Sequence, residues 1–515
     1  MLRQEVNALG RAEASSFFSM LRKSWTFFLI FFLAGLFLRL FFYFRFPHIA
    51  GDSLIYGDIA KSWLDHGIFG LSHPDGIQPT LIRLPGYPTF LAACFALFGR
   101  EHYNAVLLVQ IAVDLITCFV VADLARRALS ERACKIAFAL AALCPFTANY
   151  TVAPLAETLS IFFVAAALDA AVAGFSSLDA GRTAWKAWLA CGAALAAGIL
   201  LRPDGGILLV AIGLYVTWRI AAPSPRLRSG PALSSFSGTR MGDPPMLCFS
   251  GTTEWARRRL FWIGALLLAI AIVPLVPWTA RNWRVFHQFQ PLAPRYANDP
   301  GEFVAKGFNR WMRTWIVDYV STEEVYWHVD GDPVDLNTLP SRAFDTPAQC
   351  AETRAIFGEY NKSLYVGDEL DARFAELAKQ RIAQNPLRYY IWLPMLRIAD
   401  MWLRPRTEML PLDSRWWSFA DDPHDAIIAT VWGALNLLFV AAALMGVVRG
   451  PRRRYVGLLL LFVLLRSAFL GTLENPEPRY TLECFPVVLV LAAGWVSGWG
   501  RRALGDHGQG VQHTS

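Results

Sequence analysis

The amino-acid sequence predicts an all-α membrane protein that crosses the bilayer many times. Of its 515 residues, 55% are hydrophobic and only 17% are charged, whereas soluble domains carry about 25% charged residues. Phenylalanine and tryptophan are abundant, with 36 and 19 copies, and long apolar runs alternate with short basic loops. We therefore expect about ten transmembrane helices, interfacial helices and a small helical subdomain outside the membrane.

The predicted spans follow from the apolar runs, because a helix needs roughly 20 apolar residues to cross a bilayer. The candidate spans cover residues 24–46, 103–124, 135–150, 157–174, 185–201, 205–221, 260–280, 424–448, 454–473 and 482–500. A further apolar run at 87–99 is too short, and counting it as a span would invert every later loop. We expect this run to form an interfacial helix.

Basic residues orient the predicted helices, since Lys and Arg accumulate in cytoplasmic loops. With the N-terminus inside, the clusters "ARRR" at 256–259 and "RGPRRR" at 449–454 both fall on the cytoplasmic side. We expect a multi-pass membrane protein in which residues 47–102 and 281–423 lie on the outer side. The net charge of +7 is explained by this topology, so no nucleic-acid partner is expected.

This topology divides the chain into five parts. They are a cytoplasmic N-terminus (1–23), a transmembrane module (24–280), an outer loop with interfacial helices (281–423), C-terminal transmembrane helices (424–500) and a cytoplasmic tail (501–515). The first module contains an outer loop at 47–102 and a flexible cytoplasmic loop at 222–259, rich in Ser, Pro and Gly over much of its length. In the long outer loop, apolar spacing predicts a helix over 371–386 and an interfacial segment over 388–410.

Acidic residues at the outer ends of two spans are the first candidates for chemistry. Asp52 follows the first span, where it fits a helix N-cap and a general base about equally. Glu157 opens a later span, where an acid also favours the helix N-terminus. An ionisable residue buried at a membrane border is costly and therefore marks a functional candidate. Tyr56 shares a helix face with Asp52, whereas Asp58 lies on a different face.

Arginines at the outer membrane borders are the second set of candidates. They are Arg83, Arg202, Arg281 and Arg479. The positive-inside rule does not favour cations on this side, and the guanidinium fork suits phosphate. Several of them around one cavity would form a phosphate site. The alternative for each is snorkelling or pairing with a nearby carboxylate, as Arg202 could pair with Asp204.

Five segments on one predicted side carry a resemblance to a known superfamily. In order they are "GDSLIYGDIAKSWLDHGIFG", "RLPGYPTFLAACFALFG", "PFTANYTVAPLAETLSIFF", "AAGILLRPDGGILL" and "NPEPRYTLECFPVVLVLAA". With them the chain resembles the GT-C superfamily of integral-membrane glycosyltransferases. The most similar branch holds the bacterial relatives of protein O-mannosyltransferases and the lipid A aminoarabinose and lipopolysaccharide galacturonosyl transferases.

The resemblance implies a fold of GT-C type and a sugar-transfer reaction. It also implies a location in the cell inner membrane, with the active site facing the periplasm. The expected donor is a polyprenyl-phosphate-linked sugar in the membrane lipid, the acceptor a lipid, glycan or protein, and the reaction an inverting single displacement on the outer face. Asp52 corresponds to the catalytic base of the family and Glu157 to a second acid. Ser53 stands where the family often has another acid, so no metal ligands are assigned, no cofactor is certain and a divalent cation stays open.

The resemblance also implies a set of substrate-binding residues. Arg479 and Tyr480 lie in "EPRY", which is similar to a late family turn that contacts the carrier phosphate. The remaining predicted substrate contacts are Arg83, Tyr87, Arg202, Tyr56 and Asp58.

A transporter or flippase of lipid-linked glycans, or a ligase, is the alternative function. A transporter would place ionisable residues near mid-span and break helices in matching halves. Asp114 and Arg466 do lie within predicted spans, but no matching halves are visible. A flippase or ligase would share the lipid-linked ligand and stays open.

Overall fold

Helices of membrane length dominate the computed structural model, which describes residues 17–221, 254–420, 422–450 and 455–505. Residues 222–253 of the predicted flexible loop 222–259 lie outside the described residues. In chain order the helices are α1 (Phe17–Lys23), α2 (Trp25–Arg45), α3 (Asp52–His66), α4 (Gly86–Phe98), α5 (Tyr103–Ala128), α6 (Glu131–Ala142), α7 (Pro145–Tyr150), α8 (Glu157–Asp179), α9 (Trp185–Leu201), α10 (Gly206–Ala221), α11 (Glu254–Ile272), α12 (Leu275–Phe286), α13 (Lys306–Met312), α14 (Pro347–Ser363), α15 (Asp368–Gln384), α16 (Leu393–Leu403), α17 (Pro423–Arg449), α18 (Val456–Leu470) and α19 (Phe485–Gly505). Short helical turns cover Pro203–Gly205, Tyr319–Ser321, Thr322–Tyr326, Ser341–Ala343, Arg388–Trp392 and Pro478–Cys484.

The predicted all-α polytopic fold is confirmed. In the described part of the chain, 7 helical segments are long and apolar enough to cross a membrane. They contain α2, α5, α8, α10, α11 with α12, α17 and α19. The shorter apolar helices α9 and α18 occupy two further predicted spans, and α4 occupies the run at 87–99.

One predicted span, residues 135–150, is not a continuous helix. It is divided into α6 and α7 because Pro145 disfavours a helical conformation at the preceding residue. Cys144 is accordingly extended, with φ −69° and ψ 111°, and Pro145 begins the next helix. The apolar pattern alone gave no sign of this break.

Arg39 stabilises the broken helix from inside the bundle. It is fully buried and donates to the carbonyl oxygens of Ala142 at 2.6 Å and Ala141 at 3.3 Å. Its Nε donates to the Asp114 carboxylate at 2.8 Å. Asp114 therefore neutralises a guanidinium group that caps the end of α6, and its position inside a span has a structural explanation.

The first outer loop contains a departure from the all-α prediction. Gly70–His73 (β1) and Gly76–Pro79 (β2) form a two-stranded antiparallel hairpin in which Gly70 pairs with Pro79. The tight turn requires Gly76, whose φ of 121° is disfavoured for residues with a Cβ.

A helical subdomain follows α12, as predicted. Its core is aromatic and includes Phe308, Trp311, Phe357 and Phe374, all nearly inaccessible to solvent. The predicted helix 371–386 is α15, which begins at Asp368 and ends before Pro386. The aromatic and arginine-rich stretch after it is helical up to the end of α16.

Candidate active site

Segments that are distant in the chain meet in one cavity of about 630 Å³ at one end of the helix bundle. We call it the arginine cavity, and the end of the bundle that carries it the site face. Most of the predicted site residues line it, namely Asp52, Tyr56, Arg83, Glu157, Arg202, Arg479 and Tyr480. The sequence-predicted convergence of acids and arginines is therefore present in the structure.

Asp52 faces the cavity from the first turn of α3. The N-cap of this helix is Gly51, so Asp52 is not the cap residue. Its carboxylate accepts a hydrogen bond from Arg83 Nη2 at 2.6 Å, and Arg479 Nη2 lies 3.7 Å away. Burial raises the pKa of the Asp52 carboxyl, but the nearby Arg83 and Arg479 guanidinium groups outweigh this effect and lower the pKa below its ordinary value. Asp52 is consequently ionised at neutral pH.

Glu157 and Arg479 lie at the centre of the cavity wall. Glu157 is 3% exposed and accepts a hydrogen bond from Arg202 Nη1 at 3.0 Å. Arg479 Nε is 4.0 Å from Glu157 and 2.5 Å from Glu477. Since Arg479 also approaches Asp52, it lies among three carboxylates contributed by three separate segments.

Two aromatic rings support these guanidinium groups. Arg202 and Arg479 lie over the ring of Tyr480, with distances of 5.2 Å and 5.4 Å from guanidinium carbon to ring centroid. Arg83 lies over the ring of Tyr56 at 5.6 Å. Cation–π contacts of this kind hold the planar cations in fixed orientations.

A buried ionic network behind the cavity holds Arg202 in place. Asp204 and Glu483 lie 3.2 Å and 3.5 Å from Arg202 Nε. Both also pair with Arg466, at 3.0 Å and 2.9 Å. Arg466 is fully buried and donates its Nε to the carbonyl oxygen of Tyr480 at 3.0 Å. Its charge inside a predicted span therefore fixes the walls of the site.

Arg281 is the exception among the four border arginines, because it does not join the other three. It donates to the carbonyl oxygens of Thr80 and Phe69, each at 2.7 Å, and lies outside the arginine cavity. Asp299 binds the same loop, accepting from Thr80 Oγ1 at 2.6 Å and Leu81 N at 2.8 Å. Together Arg281 and Asp299 fix the loop that presents Arg83.

Tyr87 and Asp58 also lie outside the cavity, so the structure does not support substrate contacts for them. Tyr87 is completely buried and its hydroxyl donates to Gln110 at 2.7 Å. Asp58 accepts from the backbone N–H and the hydroxyl of Ser72, at 2.7 Å and 2.8 Å. Both side chains hold neighbouring segments together.

Sequence reasoning missed part of the cavity wall. Arg295 pairs with the buried Glu474 at 2.9 Å, and both line the cavity together with Tyr296, Tyr326 and Asn475. Arg295 belongs to a long loop with no motif, and only its contact with Glu474 reveals its position.

A second cavity of about 470 Å³ adjoins the first. Both cavities are lined by Asp52, Glu477 and Arg479. The walls that belong to the second cavity alone include Glu323 and Glu408. We call it the acidic cavity.

The carboxylates facing the arginine cavity already have cationic partners. Asp52 binds Arg83, Glu157 binds Arg202, and the other acids of the wall are likewise paired. In the described residues, no group of three or more His, Cys, Asp and Glu side chains could hold a metal ion. The guanidinium groups of the arginine cavity therefore suit an anion.

Comparison with known families matches part of the chain. Residues 73–237 match the family described as dolichyl-phosphate-mannose-protein mannosyltransferase. This segment contains Arg83, Glu157 and Arg202 but excludes Asp52 and Arg479. No curated protein matches the sequence.

Comparison with solved structures finds the fold in an archaeal enzyme. The oligosaccharyltransferase of Archaeoglobus fulgidus tethered with an acceptor peptide matches with a TM-score of 0.50 and 12% identity, over 96% of this chain and 52% of that chain. AglB from the same organism, in complex with an inhibitory peptide and a dolichol-phosphate, matches with a TM-score of 0.49 and 13% identity. That match covers 96% of this chain and 53% of AglB. ArnT from Cupriavidus metallidurans bound to undecaprenyl phosphate matches with a TM-score of 0.39 and 14% identity, over 93% of this chain and 79% of ArnT.

The chain spans about half the length of the oligosaccharyltransferases that it matches. The family match and the shared fold confirm the predicted resemblance to the GT-C superfamily of membrane glycosyltransferases.

Proposed function

We propose that the chain is a glycosyltransferase that moves a sugar from a polyprenyl-phosphate-linked donor to a lipid, glycan or protein acceptor at the site face. The observation that carries the proposal is the convergence of Arg83, Arg202 and Arg479 with Asp52 and Glu157 in one cavity. The partial match to a family named for a dolichyl-phosphate-mannose donor supports the same chemistry.

The arginines are suited to bind the phosphate that leaves the sugar. When the bond between the anomeric carbon and the phosphate oxygen breaks, the phosphate gains negative charge. Preoriented guanidinium groups stabilise that charge more strongly in the transition state than in the ground state, which is the condition for acceleration. Because Arg202 and Arg479 are fixed by carboxylates and by Tyr480, little reorganisation is needed during the reaction.

The walls of the cavity also suit a lipid carrier. Ile82, Leu201, Leu292, Phe469 and Leu473 line it beside the charged groups. An apolar wall next to paired cations is what a prenyl chain with a phosphate headgroup requires.

Asp52 is the proposed base for the acceptor hydroxyl. Because it faces both cavities, a hydroxyl can approach it from the acidic cavity while the donor phosphate occupies the arginine cavity. This arrangement suits an inverting single displacement. The lowered pKa of Asp52 makes it a weak base, so the proton is transferred as the new bond to the anomeric carbon forms. Glu157, paired with Arg202, is assigned to orient the arginines.

The distribution of cations supports a site on the periplasmic side. Arg126 and Arg127 lie at the end of α5 opposite the site face, and Arg219 lies at the corresponding end of α10. In an inner-membrane protein, such cations are expected on the cytoplasmic side, which leaves the site face toward the periplasm.

Replacing Asp52 by asparagine tests the proposal, with Asp58→Asn as a matched control on the same helix. The assay measures transfer of labelled mannose from polyprenyl-phosphate-mannose to extracted membrane acceptors by the purified protein. We expect Asp52→Asn to lower transfer by about 100-fold or more, since a general base contributes roughly 10²–10⁴-fold. Asp58→Asn should retain most activity because Asp58 lies outside the cavity. Full activity in Asp52→Asn would contradict the assignment.

A further inference from the structure

The acidic cavity differs in charge from the arginine cavity that it adjoins. Its walls carry four carboxylates, those of Asp52, Glu323, Glu408 and Glu477, and Arg479 is the cation that it shares with the arginine cavity. The remaining polar groups that line it are His48, Tyr150 and Tyr319. A ligand in this space therefore meets hydrogen-bond acceptors and negative charge on most sides.

Two of these carboxyl groups have oxygens without partners. Glu408 accepts a hydrogen bond from the Tyr150 hydroxyl through Oε1 at 3.0 Å, but its Oε2 is buried and has no hydrogen-bond partner among the described residues. Glu323 Oε2 is also buried and has no hydrogen-bond partner among the described residues. A buried polar atom without a partner costs about 1–3 kcal/mol, so these atoms favour a ligand that donates hydrogen bonds to them.

Burial acts on both groups in the same direction. It raises the pKa of Glu408, although Arg406 opposes the shift, and it raises the pKa of Glu323. A cation or a strong hydrogen-bond donor beside either group would offset this cost of burying its charged form.

We infer that the acidic cavity is the acceptor subsite of the proposed transfer reaction, and that it selects a hydroxyl acceptor bearing an ammonium group and no phosphate near the reacting oxygen. The inference rests on the proposed function and deepens it. The ammonium group would donate to Glu323 or Glu408, whereas both carboxyl groups would repel a phosphate. Arg479, the cation of this cavity, is already paired with Glu477.

The transfer step follows from this placement. The acceptor oxygen forms a bond to the anomeric carbon of the donor sugar, and the bond from that carbon to the phosphate oxygen breaks. The bonding electron pair stays on the polyprenyl phosphate, next to Arg479. The hydroxyl proton passes to Asp52, which borders both cavities.

The test compares two soluble probes that differ in charge. They are octyl 2-amino-2-deoxyglucoside, which carries an ammonium group, and octyl glucoside 6-phosphate. Binding to the unsubstituted protein is measured by calorimetry in detergent. We expect the amino probe to bind at least tenfold more tightly, and Glu323→Gln and Glu408→Gln each to reduce this preference. Glu359→Gln, which changes an exposed acid on α14 outside the cavity, should leave the preference unchanged.

Several outcomes would overturn the inference. They are equal binding of the two probes, tighter binding of the phosphate probe, no binding of either, and a preference that survives both substitutions in the acidic cavity. Binding of polyprenyl phosphate is measured on the same samples. If the native protein binds polyprenyl phosphate but shows no probe preference, the acceptor inference fails alone, whereas loss of polyprenyl phosphate binding would count against the proposed function.

Discussion

Replacing Arg406 by methionine would remove the group that holds the turn carrying Arg479 from behind. Arg406 is 3% exposed. It donates to the carbonyl oxygen of Pro478 at 2.8 Å, to Thr481 Oγ1 at 2.6 Å and to Asn436 Oδ1 at 3.0 Å. Two of these acceptors flank Arg479 in sequence, so the substitution perturbs the phosphate site without changing any residue that lines it.

The expected magnitude follows from these contacts. Each hydrogen bond from a charged donor contributes about 1.5–3 kcal/mol, and these three acceptors of Arg406 are all uncharged groups. The carbonyl oxygen of Pro478 keeps its second hydrogen bond, from Thr481 Oγ1 at 2.9 Å. The loss of stability is therefore smaller than the summed contribution of the three hydrogen bonds from Arg406. We expect the free energy of unfolding to fall by about 3–5 kcal/mol, which is less than three such hydrogen bonds would contribute. Polyprenyl phosphate affinity should fall about tenfold, which corresponds to about 1.4 kcal/mol.

Arg404→Met is the matched control, because Arg404 is a buried arginine two positions away. It donates to the carbonyl oxygen of Ser414 at 2.6 Å and lies 4.0 Å from Asp400, with none of these contacts in the Arg479 turn. Thermal unfolding in detergent and polyprenyl phosphate binding are measured for both variants. Both should be less stable than the native protein, but only Arg406→Met should lose affinity at a temperature where both remain folded. An equal loss of affinity in the two variants would show that Arg406 does not act through the turn that carries Arg479.

Two further substitutions test the site from other directions. Arg83→Met removes a cation that lowers the pKa of Asp52, so the carboxylate should protonate at higher pH and the acid limb of the kcat/KM profile should shift upward. An unchanged limb would show that another group controls it. Gly86→Ala would place a Cβ 2.5 Å from the Leu200 carbonyl oxygen and should lower the unfolding temperature and transfer rate. Gly213→Ala meets nothing within 4 Å and should be near neutral; similar losses in both would contradict this packing argument.

The residues at helix ends were predictable because their positions follow from the apolar runs. Once the spans were placed, Asp52, Glu157, Arg202 and Arg479 all fell at the same border, and the structure brings them into one cavity. Apolar length and charge sign are local properties of the sequence, which is why this part of the site needed no tertiary information.

The remaining parts of the site depend on contacts between distant segments. Thr80 binds Asp299 and Arg295 binds Glu474, and no local pattern links these pairs. The errors have the same origin: Asp58 has a suitable residue type and position, but Ser72 of the unpredicted hairpin occupies its carboxylate.

An electron cryomicroscopy structure of the protein with polyprenyl phosphate bound would show directly whether the arginine cavity is the phosphate site. We expect the phosphate to lie in the arginine cavity, within hydrogen-bond distance of at least two of Arg83, Arg202 and Arg479. A phosphate bound elsewhere, or one in the cavity that contacts none of these guanidinium groups, would contradict this expectation.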